Sequence, residues 1–155
     1  MKMNLKDYLN SLADKGLLKP EKIGLDQVRA LILGAEKNLT AAKKNLSIDE
    51  ETTYIMAYSA MLKVARALIF IRGFRPDDGQ QHKTTIDVAG RILGPDFSDL
   101  IAKFDKMRRK RNELTYDPLL PLSKIETENA LKSAQEFLKR VKEFLAKSDW
   151  QKKLF

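Results

Sequence analysis

Arg111, Asn112 and Tyr116 are the residues of this chain whose types and spacing suit chemistry on a phosphate. Arginine's planar fork matches phosphate oxygens, an asparagine amide both donates and accepts, and a tyrosine can donate a hydrogen bond or stack on a base. They stand in the run D-K-M-R-R-K-R-N-E-L-T-Y-D-P, Asp105 to Pro118, which carries five cations in the six residues Lys106 to Arg111. Lys106, Arg108, Arg109 and Lys110 are the candidate phosphate contacts around them, and the plain alternative for Arg108 to Lys110 is a solvated basic face.

A helix is needed to position these groups. Leu100, Phe104, Met107, Arg111 and Leu114 follow a 4-3-4-3 spacing and share one helix face. Arg111 therefore lies in an apolar stripe, where a charge needs an ion pair, an interface or a ligand. Arg109 and Lys110 point away from it. Arg111 and Tyr116 are five apart, about 140° around an ideal helix. One straight helix then cannot aim both at a small ligand, so a frayed end at Asp117-Pro118 or a second copy across a dimer axis is expected to bring them together.

The rest of the chain reads as helices joined by breaks. Asn4 to Lys15 is the first, ended by Gly16, with Pro20 and Gly24 beyond it. Asp26 to Leu46 is the second. Ser47-Ile-Asp-Glu50 is a capping box that launches a third helix over Ile48 to Arg72, apolar on most sides and so central. Gly73 and the turn Arg75 to Gly79 follow. A shorter helix spans His82 to Leu93, stopped by Gly94-Pro95, and Asp96 or Ser98 caps the basic helix, which ends before Pro118. A second capping box, Ser123 to Glu126, starts a helix reaching about Lys147. The tail, 148–155, contains Trp150 and Phe155 and can dock or fray. No alternating strand pattern stands out. The expected fold is all-α, an antiparallel up-down four-helix bundle core with additional short helices, in a single domain over 1–155 whose residues 1–25 form a short helix and linker.

Composition narrows the chemistry. The 155 residues carry a net charge of +8, which favours a polyanionic partner, nucleic acid first. There is no cysteine and one histidine, His82, so thiolate, multi-histidine and di-iron carboxylate sites within one chain are excluded, and no metal or cofactor is expected. The loop and motif signatures of P-loop, zincin and serine-hydrolase enzymes are missing. The N-terminus has no apolar signal core, and Ile55 to Ile71, interrupted by Lys63 and Arg66, reads as too short to span a bilayer comfortably. A cytoplasmic protein with no membrane partner is expected.

Two stretches resemble the HEPN domain family of small helical modules found in prokaryotic toxins and RNA-processing systems. One is A-Y-S-A-M-L-K-V-A-R-A-L-I-F-I-R-G-F-R-P, Ala57 to Pro76, followed by His82-Lys83. The other is R-N-E-L-T-Y, Arg111 to Tyr116, similar to the family's arginine, polar residue, short spacer and histidine. The resemblance covers most of Asp26 to Lys147. It implies a homodimer whose two motifs line one cleft, binding RNA or a nucleotide, and in active members cutting RNA without metal. It also implies a nucleotidyltransferase-type partner, with this chain as the toxin-like component. Carried over, Arg111 matches the arginine, Asn112 the polar residue, and Tyr116 stands where histidine belongs. A histidine near ~6.5 exchanges protons at neutral pH, whereas a tyrosine near ~10 stays protonated. The family's modified tyrosine would fall at Pro118. His82 matches a position outside the motif and is expected to pack or hydrogen-bond at the start of the fourth helix.

Three functions follow from these residues. The first is a nucleic-acid or nucleotide-binding protein. The second is a metal-independent endoribonuclease using Arg111 and Tyr116 in a dimer cleft. The third is a non-catalytic structural or partner-binding dimer, in which Arg111 is salt-bridged.

Overall fold

The computed structural model of the protein describes residues 3–77 and 82–147; the turn residues after Asp77 and the tail with Trp150 and Phe155 lie outside the described residues. Six helices account for most of it. They are α1 (Leu5–Asp14), α2 (Leu25–Asn45), α3 (Glu50–Ile71), α4 (His82–Leu93), α5 (Ser98–Tyr116) and α6 (Lys124–Ala146). The all-helical expectation holds at this level.

The chain is organised around α3. Tyr54, Ala57, Tyr58, Met61, Val64, Leu68 and Ile69 are all buried, and α2, α4, α5 and α6 each pack against this helix. Alanines at 57, 60, 65 and 67 are buried as well. Small side chains on several faces let neighbouring backbones come close, so one helix can serve four partners. At 22 residues α3 is, among the described residues, the one helix long and apolar enough to cross a membrane by length and composition. Length therefore does not exclude a span, contrary to expectation. In the fold, 56% of its most apolar window is buried inside the protein.

Two short strands depart from expectation. β1 (Leu18–Pro20) pairs antiparallel with β2 (Phe74–Pro76), in the register Leu18 to Pro76, Lys19 to Arg75 and Pro20 to Phe74. Each strand has three residues and contains a proline, which pairs only at edges, so no alternation was there to be seen. The ladder continues outward, with the Glu21 amide donating to the Gly73 carbonyl (2.9 Å) and the Asp77 amide to the Leu17 carbonyl (3.2 Å). Glu21 also meets Arg75 at 3.0 Å. Gly16 and Gly73, at φ +77° and +83°, make the turns into the two strands.

The helix starts correct two expectations and support a third. Asp49, not Ser47, caps α3, accepting from the Thr52 amide (3.3 Å) and the Thr52 hydroxyl (2.8 Å). The amides of Ile48 and Asp49 are bonded back to the Asn45 carbonyl, which carries the turn two residues further before the helix can begin. Neither Asp96 nor Ser98 caps α5. Gly94, at φ +89°, feeds a 3-10 turn over Pro95–Phe97 that runs straight into the helix. Ser123 does cap α6, accepting from the Glu126 amide at 3.0 Å.

Candidate functional site

The apolar stripe of α5 sets the site. Leu100, Phe104, Met107 and Leu114 are buried, and the Phe104 ring sits 5.7 Å from Tyr58 of α3 and 5.5 Å from Phe137 of α6. With that face held, Arg111 emerges half-buried at the edge of the core, beside the first turn of α4. His82, Lys83, Arg108, Arg111, Asn112, Thr115 and Tyr116 line one cleft of about 360 Å³ there.

Arg111 is the oddity the sequence pointed to. No acid of a neighbouring helix meets it: among the described residues its guanidinium has no ion pair and no hydrogen bond. Arg108 differs. Its side chain is only 19% exposed and its Nε donates to Asp105 at 2.9 Å. Asp105 also attracts Arg109 (3.7 Å) and Lys83 (3.8 Å). Desolvation by burial raises its pKa, yet the hydrogen bond from Arg108 and the charges of Arg108, Lys83 and Arg109 win and hold the carboxyl below its usual range.

The cation run therefore divides by direction. Lys106 is exposed and outside the cleft, and Arg109 is 62% exposed and also outside it. Lys110 turns the other way, donating to the Pro121 carbonyl (3.0 Å) and pairing with Glu126 (3.4 Å) of α6. Of the four expected phosphate contacts, only Arg108 lines the cleft. Arg111, Asn112 and Tyr116 line it together, within one chain. The helix stays regular to Tyr116. Of the three, Tyr116 is 87% exposed while Arg111 is half-buried.

His82 is at once the packed residue expected and something more. Its Nδ1 lies 2.9 Å from the Tyr58 hydroxyl, with the two rings 5.8 Å apart, and the residue also lines the cleft. Burial pushes the Tyr58 hydroxyl up to about 12, against the opposing charges of Arg111 and Arg108. Burial also lowers the pKa of His82, and Arg111, Arg66 and Arg108 lower it further, so the ring is neutral at pH 7. Lys83 and Thr115 line the cleft although neither was a candidate binding or catalytic residue. The Thr115 hydroxyl is bonded back to the Arg111 carbonyl at 3.0 Å. The signal for Tyr58 was present in its residue type, since a buried tyrosine hydroxyl needs a partner.

A family model, the HEPN domain, matches residues 28–144. The chain belongs to the HEPN domain family. No curated protein and no solved structure matches it. The HEPN match begins in α2 and ends in α6, so it contains the whole cleft and leaves α1 and β1 outside. HEPN domains commonly act as dimers and bind nucleic acid, and membership supports a nucleotide- or RNA-related function in general. Among the described residues no group of three or more histidine, aspartate or glutamate side chains gathers to hold a metal ion.

Proposed function

We propose that the cleft between the start of α4 and the C-terminal half of α5 binds RNA or a nucleotide through phosphate, with Arg111 as its main contact. One observation carries this reading. Arg111 is a half-buried guanidinium that lines the cleft with no ion pair and no hydrogen bond among the described residues, so its planar donor fork is open to a phosphate. Arg108 and Lys83 add positive potential at the wall, and Asn112 and Tyr116 supply neutral hydrogen bonds and a stacking face. The HEPN domain works in the cytoplasm as a homodimer, an up-down bundle whose two clefts face one groove. It is the toxin-like component of a pair whose other member is a nucleotidyltransferase. Single-stranded RNA binding at rising salt tests the reading, with Arg111→Ala and the double variant Arg108→Ala, Arg109→Ala beside the parent. Undetectable affinity at low salt, or affinity indifferent to Arg111→Ala, ends it. Sedimentation tests the dimer.

A second reading is favoured by Tyr116 lining the same cleft as Arg111. In it, the 2′-oxygen attacks the adjacent phosphorus as the P–O5′ bond breaks, its proton passing by way of solvent to the departing 5′-oxygen, while Arg111 stabilises the phosphorane-like transition state and Tyr116 orients the attacking hydroxyl. The products are a 2′,3′-cyclic phosphate and a 5′-hydroxyl. Incubation with RNA in EDTA checks it. Cleavage that Arg111→Ala abolishes supports it, and Tyr116→His raises the rate by supplying a base near neutral pKa.

A further inference from the structure

His82 has two edges with different surroundings. Nδ1 faces the buried Tyr58 hydroxyl at 2.9 Å, and the residue also lines the cation-rich cleft, so Nε2, on the ring edge away from Nδ1, is the nitrogen left for a ligand there. Among the described residues Nε2 has no hydrogen-bond partner. The Tyr58 hydroxyl likewise has one partner among the described residues, the imidazole. A phenol proton buried away from water needs an acceptor, and Nδ1 is the one atom within hydrogen-bond distance of it among the described residues. A neutral ring that accepts at Nδ1 carries its proton at Nε2.

From this geometry we infer that His82 is a phosphate-binding residue of the cleft, donating its Nε2–H to a phosphodiester oxygen while Tyr58 fixes the tautomer. The ligand class rests on the RNA-binding reading above, whereas the tautomer does not. The groups facing the ring agree with a neutral donor. Arg66 and Tyr58 of α3, Lys83 of α4, and Arg108 and Arg111 of α5 surround it, and Asp105 is committed to Arg108, Arg109 and Lys83. Burial and the neighbouring guanidinium charges keep the ring from taking a second proton at pH 7. With its lone pair turned to Tyr58, the ring is no proton acceptor for a substrate in the cleft. Tyr58 is a positioning residue; it touches no ligand.

Nitrogen-15 NMR of the imidazole reads the tautomer directly. The expected spectrum at pH 7.5 shows a protonated Nε2 and an unprotonated Nδ1, and Tyr58→Phe converts it to a mixture of tautomers. A predominantly Nδ1–H ring in the parent protein overturns the inference, because Nε2 is then an acceptor. Binding is read with a single-stranded RNA oligonucleotide carrying 2′-O-methyl groups at every position, which blocks cleavage and leaves phosphodiesters that do not titrate near neutrality. His82→Ala should weaken it roughly 10-fold, the scale of a hydrogen bond to a charged group. His82→Gln, which keeps a donor, should restore most of the loss, and parental affinity should be flat from pH 7 to 8.5. Parental affinity in His82→Ala, or a steep fall over that range, overturns the binding role. If the parent binds no oligonucleotide, the RNA reading fails and takes the phosphate role with it, whereas the NMR result still judges the tautomer.

Discussion

Lys110 and Arg111 are neighbours in the chain with the same charge, and the fold uses them in opposite ways. Lys110 looks toward α6, its side chain only 18% exposed, and closes the link between α5 and α6 through the Pro121 carbonyl and Glu126. Arg111 looks toward α4, enters the cleft beside His82, and meets no acid among the described residues. A step of about 100° around the helix separates a structural cation from one available to a ligand. Dense positive charge along a sequence thus says little about which charge is free. The partners on neighbouring helices decide that.

The largest expected effect comes from exchanging these roles. Arg111→Ala should weaken single-stranded RNA binding roughly 10-fold or more at low salt, as loss of a charge-assisted hydrogen bond does. It should also flatten the salt dependence by about 0.7 in the log-log slope for each phosphate that is no longer neutralised. Lys110→Ala should leave both measurements unchanged. Equal losses from the two variants would mean that the cations act as an undivided patch.

Asp105→Asn sharpens the comparison from the other side. It removes the carboxylate that holds Arg108, Arg109 and Lys83. RNA affinity should rise about threefold as the wall becomes more positive. Stability should fall by about 1–2 kcal/mol in urea titrations, because the largely buried Arg108 loses its partner. For Lys110→Ala the expected loss of stability is smaller, about 1 kcal/mol or less, since Glu126 is half-exposed.

The smallest effect is a pH dependence. The folded-state pKa of His82 lies below the ordinary value of 6.5, so as pH falls the unfolded chain takes up the proton first. The contribution of His82 to stability is therefore complete above pH 6.5 and is lost as pH falls toward the folded pKa. Urea unfolding of the parent and His82→Gln at pH 7.5 and pH 5 should show a narrowing gap at the lower pH. A gap that widens on acidification would reverse the assigned direction.

Much of this architecture was legible because helices announce themselves locally. The stripes of α5 and α6, the all-round apolar character of α3, the stop at Asp117-Pro118 and the Ser123 cap depend on residues within a few turns of one another. Arg111 stood out for the same reason, as a charge at an apolar position. The β1–β2 pair was not legible, since three-residue strands with prolines carry no periodicity and join segments more than fifty residues apart. Nor was the cap at Asp49, where the choice rested on how the preceding turn closes.

By itself, then, the sequence determined that the chain is helical, that α3 is central, and that Arg111 breaks its stripe. Periodicity is a property of consecutive residues, and burial of an apolar face follows from it. Only the tertiary structure decided that Lys110 is engaged while Arg111 is not, and that Arg111 and Tyr116 share one cleft within a single chain. It also decided that the lone histidine, 29 positions before Arg111, stands beside it with a buried tyrosine at its back. Those outcomes depend on which helix faces are brought together, and packing against α3 is what brings them together.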